Sequence, residues 1–543
     1  MSNRKQSVLM GGLISSAGIF LSKFLGLLYV VPFNVILQTA ENQSYYSQTY
    51  NIYSYILNIA TAGLPFAIAT LVAKYATRDD YRTCLLVKKI SFITMATFGF
   101  ICMLLMILFS SMIANQVCPN DGDINIMRNS ILLISFAVFI VPILSSLRGF
   151  YQGLKEMEIY SISQVLEQLA RIIFLLSIGA IIVFVFHQDA VWAVYFAILA
   201  ASISAVLTIF FIRWKGKLKY HEIIEKSKHQ ELETKADAKE IFKELLYVAI
   251  PYLIIAIFGY SDTIINQMDL KPGLEAYGKM EFSAGLSSAI FYSATKVIAI
   301  PMILAPGFSA AIIPYITSAM EKKKGKLVRK YILDCVESVI YIALPICFAL
   351  FVFARPIMFT LFGNGNLEMN TFVLKWYALE ALCATICPIF SSIVTAIGLR
   401  KKIVANTVVF SLIKIACNRL FISLWGVGGM VLSSFVAYLV FTLLNLHSIQ
   451  KYCHVNWKYT FRKLLIMALG LALFYLLSIP FDYLGWIAMN QNRMISLFCL
   501  ALMGIVCCGG YIGLTSICSI PQSIFHFQFS DIINKIKNRG IRS

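Results

Sequence analysis

Long apolar segments recur along the whole chain and leave few folds open to it. Fourteen of them lie at about residues 7–38, 44–73, 89–114, 129–153, 159–186, 190–212, 241–268, 283–319, 331–353, 371–398, 403–424, 427–446, 464–486 and 494–518. Each approaches or exceeds the about 20 residues with which a helix crosses a bilayer. A chain that is 59% hydrophobic and 13% charged cannot bury this surface in one water-soluble core. The pattern predicts an all-α polytopic membrane protein with about 14 transmembrane helices.

Basic residues are distributed unequally over the loops between these segments. When alternate loops are assigned to one side, 35 of the 46 Lys and Arg residues fall there and five fall on the opposite side. Because positive loops stay in the cytoplasm, both termini are predicted to be cytoplasmic. The net charge of +19 therefore belongs to short loops, such as that with Lys322-Lys-Lys-Gly-Lys326. We expect contacts with anionic membrane lipids and none with nucleic acid.

A short repeat divides the chain after the sixth segment. Pro142-Ile-Leu-Ser-Ser146 recurs 246 residues later as Pro388-Ile-Phe-Ser-Ser392, and the region of Gly63 has a weaker echo at Gly307. Six spans are an even number, so the duplicated halves keep the same orientation and form parallel repeats. The predicted domains are an N-terminal lobe at 1–213, a charged cytoplasmic linker at 214–240, a C-terminal lobe at 241–450, and two further spans with a cytoplasmic tail at 451–543.

Six basic residues lie within or beside the spans: Lys23, Arg171, Lys296, Lys375, Lys414 and Arg419. A cation in hydrocarbon is costly unless it faces a wet cavity or a partner, so such residues are candidates for a functional site. Lys23 lies near the middle of the first span. Lys296 precedes Pro301 in a segment that Pro306 and Pro314 also interrupt, and it either faces a transport path or extends to the nearer interface.

Three charged residues of spans 4 and 5 form a second group of candidates. Glu167 and Arg171 are four residues apart, so they share one helix face and can pair. The pair is either a structural ion pair or a site where a substrate phosphate competes for the guanidinium. Arg148, at the cytoplasmic end of span 4, either anchors the helix at the lipid headgroups, which we favour, or guides the substrate inward.

Signals for a cofactor, a metal or nucleotide chemistry are missing from the sequence. None of the 6 His has the spacing of metal ligands, and Gly363-Asn-Gly-Asn366 is not followed by the Lys-Ser/Thr of a phosphate-binding loop. We therefore expect no cofactor, no metal and no direct use of ATP.

Five ordered motifs carry a resemblance to a known family over nearly the whole chain. They are Gly12-Leu-Ile-Ser-Ser-Ala-Gly-Ile-Phe-Leu-Ser-Lys-Phe-Leu-Gly26, Thr61-Ala-Gly-Leu-Pro-Phe-Ala-Ile-Ala69, Ser146-Leu-Arg-Gly-Phe-Tyr-Gln-Gly153, Gln164-Val-Leu-Glu-Gln-Leu-Ala-Arg171 and Leu361-Phe-Gly363. The set resembles polysaccharide-export proteins related to stage V sporulation protein B and to the MurJ-like lipid II flippases, in the MOP superfamily.

This resemblance implies a MurJ/MATE-like fold with two six-helix lobes around a central cavity, plus two C-terminal helices. It also implies a flippase, not an enzyme, which moves an undecaprenyl-pyrophosphate-linked saccharide across the bacterial cytoplasmic membrane by alternating access. We expect it to act as a monomer.

The resemblance also assigns roles to single residues. Lys23 and Lys296 match basic residues of the family's first and eighth spans, whereas Tyr29 stands where a second basic residue is found. Asp262, Lys414 and Asn418 lie where some relatives place ligands of a sodium ion. An ammonium group has donors only and cannot bind a metal. Our hypothesis is that Lys414 replaces the sodium ion and pairs with Asp262, which leaves the membrane potential as the driving force.

Two other functions stay open at this point. A cation-coupled multidrug efflux transporter of the same superfamily would need a cavity rich in acids, whereas spans 1 and 8 carry lysines. A membrane-embedded glycosyltransferase would need an acidic catalytic cluster at a membrane face, and Asp121 and Asp123 alone are a weak candidate for one.

Overall fold

The computed structural model describes residues 29–62, 64–230, 237–302, 315–320, 322–483 and 492–525, and none of these residues lies in a β-strand. The first helices are α1 (Val30–Leu37), α2 (Ala40–Ala62), α3 (Leu64–Ala76), α4 (Tyr81–Leu108), α5 (Ser110–Val117), α6 (Ile124–Gly153), α7 (Met157–Ala180), α8 (Ala190–Lys215), α9 (Lys217–Lys228), α10 (Ala238–Gly259), α11 (Ser261–Tyr277), α12 (Ala284–Ser288) and α13 (Thr295–Met302). After helical residues 315–320 come α14 (Gly325–Val352), α15 (Ala354–Phe362), α16 (Leu367–Ala396), α17 (Arg400–Trp425), α18 (Val427–Cys453), α19 (Lys458–Tyr483), α20 (Arg493–Ile517) and α21 (Ile520–Phe525).

Eleven helical stretches in the described part of the chain are long and apolar enough to cross a membrane. They coincide with eleven of the predicted segments, so the prediction of an all-α polytopic membrane protein is confirmed. The other three segments, 7–38, 44–73 and 283–319, each include residues outside the described ranges. The total of fourteen therefore stays a prediction.

Several spans are interrupted helices. The segment predicted at 241–268 extends over Ala238–Tyr277 and divides into α10 and α11 at Tyr260. A π-helix, Ala289–Ala294, separates α12 from α13, and a second one, Ile181–Val185, ends the span begun by α7. Wider π turns of this kind shift the register of the helix and are frequent at functional sites.

The helices form two compact units by their contacts. The first holds the described residues up to Tyr292 together with Thr407–Ser434, and the second holds Ser293–Asn406 and the described residues from Phe435 onward. These units are not the two lobes derived from the sequence repeat, and the division at 213 and 241 stays a prediction.

In the first unit, α6 is the central helix. It packs against α2, α3, α4 and α8, and two thirds of its apolar stretch is buried. Small residues allow the close approach that packing in a membrane requires. A Cβ atom on Gly99 of α4 would lie 2.9 Å from the carbonyl oxygen of Phe139, and one on Gly149 would lie 2.8 Å from that of Pro65. This close packing fixes α6 beside α3 and α4 and positions the charged residues described below.

In the second unit, the two C-terminal helices α19 and α20 pack on α14. Tyr341 donates or accepts a hydrogen bond of 3.0 Å with Thr515, and its ring packs against that of Tyr511. On α14 the buried Glu337 accepts hydrogen bonds from Thr460 at 2.7 Å and from Lys463 at 2.6 Å. These contacts connect the two added spans to the rest of this unit.

Candidate functional site

One face of α2 carries a ladder of tyrosines. Tyr46, Tyr50 and Tyr53 follow one another at i, i+4 and i+7, so they lie on the same side of the helix. The rings of Tyr46 and Tyr50 are stacked at 5.6 Å, and the centroids of Tyr50 and Tyr53 are 5.5 Å apart. Tyr46 and Tyr53 are almost fully buried. The ladder presents hydroxyl groups inside an apolar surrounding.

Two arginines and one glutamate meet beside this ladder. Arg171 of α7 donates a hydrogen bond of 2.7 Å to the Tyr50 hydroxyl and a second one of 2.7 Å to Glu167. The other carboxylate oxygen of Glu167 lies 2.8 Å from Arg148 of α6. Arg148 also donates to the side chain and the carbonyl oxygen of Ser163, at 2.9 and 2.8 Å. We name Arg148, Glu167, Arg171 and Tyr50 the arginine–tyrosine cluster.

This cluster carries an excess of positive charge. Two guanidinium groups share a single carboxylate, and the three charged side chains are only 10–12% exposed. Within the described part of the chain, the buried Nε of Arg171 and the hydroxyl of Tyr53 have no hydrogen-bond partner. Buried donors without an acceptor are unfavourable. The arrangement can therefore accept an anion with several oxygen atoms.

A second buried group of polar residues lies where α11 meets α17 and α18. Lys414, which is fully buried, lies 3.2 Å from the Asp262 carboxylate and donates to Ser433 at 2.8 Å and Ser434 at 2.6 Å. A fourth contact joins the ammonium group to the carbonyl oxygen of Met430 at 3.3 Å. All donors of the ammonium group are thus satisfied by oxygen atoms, as a bound cation would be.

Asn418 belongs to the same network. Its amide nitrogen donates to Asp269 at 3.0 Å, and its amide oxygen accepts from Ser433 at 2.7 Å. Ser434 in turn donates to Asp262 at 3.0 Å. The structure therefore brings Asp262, Lys414 and Asn418 together.

The other predicted residues are distributed differently. Lys23 lies outside the described residues. Lys296 is half-buried on α13 and belongs to the second unit, and Pro306 and Pro314 lie outside the described ranges. Glu167 and Arg171 are in contact, as their spacing predicted. Arg148 was predicted to anchor the helix at the lipid headgroups, but its side chain is instead buried against Glu167. The reason is that α6 and α7 pack side by side, so the three charges share one space.

Sequence reasoning missed the tyrosines and the serines of these sites. The spacing of Tyr46, Tyr50 and Tyr53 was a usable signal, because a polar aromatic stripe at helical spacing indicates a shared face. No comparable signal marks Ser433 and Ser434, since adjacent serines are frequent in apolar helices.

A family model described as "Polysaccharide biosynthesis protein" matches residues 8–320, which is more than half of the chain. The chain belongs to this family.

Relatives with known names agree with that assignment. The chain is 28% identical to the lipid II flippase MurJ of Bacillus subtilis (strain 168), over 88% of this chain and 89% of the relative. It is also 24% identical to stage V sporulation protein B of the same organism, over 76% of this chain and 77% of the relative.

Solved structures share the fold of this family member. An inward-facing multidrug resistance MATE family transporter of the MOP superfamily matches with a TM-score of 0.63 and 14% identity, over 79% of this chain and 95% of the other. The outward-facing conformation of such a transporter matches with a TM-score of 0.58 and 16% identity, over 81% and 96%. The chain is thus a multi-pass protein of the bacterial cytoplasmic membrane with the fold of the MOP superfamily.

Proposed function

We propose that this protein moves an undecaprenyl-pyrophosphate-linked saccharide across the cytoplasmic membrane by alternating access and leaves it chemically unchanged. Its family and its relatives indicate a membrane flippase or transporter and not an enzyme. The lipid-linked substrate is the part that we add, and it is supported by a relative that flips lipid II.

The observation that carries the proposal is the unbalanced charge of the arginine–tyrosine cluster. A pyrophosphate must pass a region of low dielectric constant, where its charge is unfavourable unless fixed cations offset it. Arg148 and Arg171 provide two guanidinium groups for one carboxylate, and Arg171 has an unpaired Nε among the described residues. Planar guanidinium groups suit the oxygen atoms of phosphates. Under this proposal the phosphate competes with Glu167 for Arg171.

Three further parts of the proposal rest on the sequence. Lys23 and Lys296 would add positive charge along the path of the substrate, and both termini would lie in the cytoplasm. Lys414 would act as a fixed cation in the place of a coupling ion, in agreement with its contact to Asp262 at 3.2 Å. The membrane potential would then drive the transport of the anionic headgroup.

Translocation of labelled lipid II by the purified protein in proteoliposomes tests the proposal. Arg171→Gln is expected to reduce the rate about tenfold or more, because a hydrogen bond to a charged group contributes about 1.5–3 kcal/mol. Arg171→Lys keeps the charge and should retain part of the rate. Arg128→Gln removes the same charge from an exposed position of α6 and should leave the rate unchanged.

Two results would overturn the proposal. One is a folded Arg171→Gln protein that moves lipid II as fast as the wild type. The other is a chemical change in the labelled lipid, which would indicate an enzyme instead of a transporter.

A further inference from the structure

A groove in the second unit is separate from the sites described above. Its volume is about 500 Å³, within the range of ligand-binding cavities. The walls come from α14, α16 and α19, and the residues that form them are almost all apolar, including Leu344, Phe348, Phe351, Phe372, Leu379 and Leu471. The groove is open on one side, where Phe351, Phe372 and Leu379 remain exposed.

The residues of α16 that line the groove follow the axis of that helix. Phe372, Lys375, Leu379 and Leu382 line it from α16, and their spacing of three, four and three residues places them on one helix face. With a rise of about 1.5 Å per residue, this wall extends for roughly 15 Å. Such a shape fits an extended hydrocarbon chain that lies parallel to α16.

Lys375 is the one charged residue among the described residues that line the groove. Its side chain is exposed, and no acidic side chain in the described ranges lies within ion-pair distance of it. About 10 Å of apolar wall separates it from Leu382, at the other end of the groove. A lone ammonium group inside a membrane span is unfavourable unless an anion or water reaches it. The combination of one cation and a long apolar wall is complementary to an anionic amphiphile.

We propose that this groove binds an anionic phospholipid, with one acyl chain along α16 and the phosphate against the ammonium group of Lys375. A bilayer supplies such a lipid directly to the open side of the groove. A zwitterionic lipid would bring its own ammonium group next to Lys375 and would bind more weakly. The neighbouring Trp376 also lines the groove, and indole rings favour the region of the lipid headgroups. This inference does not depend on the identity of the transported substrate.

Thermal stabilisation of the full chain in detergent by added lipid tests the proposal. Dioleoyl phosphatidylglycerol is titrated against dioleoyl phosphatidylcholine, and an apparent dissociation constant is obtained from the shift in unfolding temperature. We expect phosphatidylglycerol to bind at least about tenfold more tightly, a difference of about 1.4 kcal/mol. Lys375→Met should remove this preference, and Lys375→Arg should keep it. Leu379→Trp should weaken binding of phosphatidylglycerol, because it fills the groove and leaves the charge in place.

Arg419→Met is the matched control, since Arg419 is also an exposed cation on a span but does not line the groove. It should bind phosphatidylglycerol like the wild type. The proposal is overturned if the two lipids bind equally, or if Arg419→Met and Lys375→Met have the same effect. It is also overturned if Leu379→Trp binds as well as the wild type, which would leave surface charge alone as the cause. Tighter binding of undecaprenyl phosphate than of phosphatidylglycerol would assign the groove to an isoprenoid and would also overturn the proposal.

Discussion

Replacing Glu167 by Gln separates the structural role of the arginine–tyrosine cluster from its role in binding. In the wild type each carboxylate oxygen of Glu167 contacts one guanidinium group, at 2.7 Å for Arg171 and 2.8 Å for Arg148. Glutamine retains one acceptor oxygen, but its amide group points a donor at a second donor. The substitution therefore leaves two guanidinium groups close together in a buried place with no negative charge between them.

The cost follows from the geometry. At an effective dielectric constant of about 20, two opposite charges with centres about 4 Å apart attract each other by about 4 kcal/mol, so two contacts give about 8 kcal/mol. Removing the carboxylate also removes the cost of burying it, which is several kcal/mol for one ion. A loss of about 3–5 kcal/mol in the free energy of unfolding is expected, as for other broken buried ion pairs. Solvent screens the attraction between these charges only weakly, because the three side chains are only 10–12% exposed.

Unfolding of the detergent-solubilised protein by SDS measures this free energy. Arg171→Gln is the comparison, because it leaves Glu167 paired with Arg148 and should cost only about 1–3 kcal/mol. Its effect on transport should be large nevertheless. If Glu167→Gln proves as stable as Arg171→Gln, the carboxylate does not hold two buried cations together and the reasoning fails.

Two further predictions concern single contacts of the first unit. Lys414→Met should lower the free energy of unfolding by about 3–5 kcal/mol, because it leaves the Asp262 carboxylate buried without its cation, and adding Asp262→Asn should restore most of the loss. Two outcomes of unfolding measurements would contradict the role of Lys414 as a fixed cation. In one, adding Asp262→Asn restores no stability; in the other, sodium stabilises the wild type and not Asp262→Asn. Burial raises the pKa of Asp80, but hydrogen bonds from Thr83 and Gln230, together with the charge of Arg82, outweigh this effect and hold the pKa below its ordinary value of 3.8. The Asp80 carboxylate should thus stabilise α4 fully above pH 3.8, and this stabilisation should be lost as the pH falls through the lowered pKa. Asp80→Ala should lower the free energy of unfolding by about 0.5–2 kcal/mol at neutral pH. In a plot of this free energy against pH, the variant should show a shallower decrease on the acid side, which we call the acid limb. An acid limb that is unchanged in Asp80→Ala would refute the assignment.

The sites could be predicted from the sequence only in part. The pairing of Glu167 with Arg171 follows from their spacing on one helix, because contacts four residues apart depend on local geometry alone. The pairing of Asp262 with Lys414 was expected from the resemblance and from the donor chemistry of an ammonium group. The contact of Arg148 with Glu167 was not, because it depends on how α6 packs against α7.

The sequence by itself determined the class of the fold and placed cations such as Arg171, Lys375 and Lys414 within apolar segments. Apolar length and loop charge are sufficient for this, since a bilayer imposes the same hydrogen-bond requirement on every span. The tertiary structure decided which partners the described charged residues meet on other helices. Arg148 and Lys414 meet carboxylates on other helices, whereas Lys375 lies in an apolar groove with no acid of the described chain beside it. The physical reason is that the partners of a side chain on other helices depend on how whole helices rotate and approach one another. Small residues such as Gly99 and Gly149 permit the close approach, but no local sequence pattern specifies it.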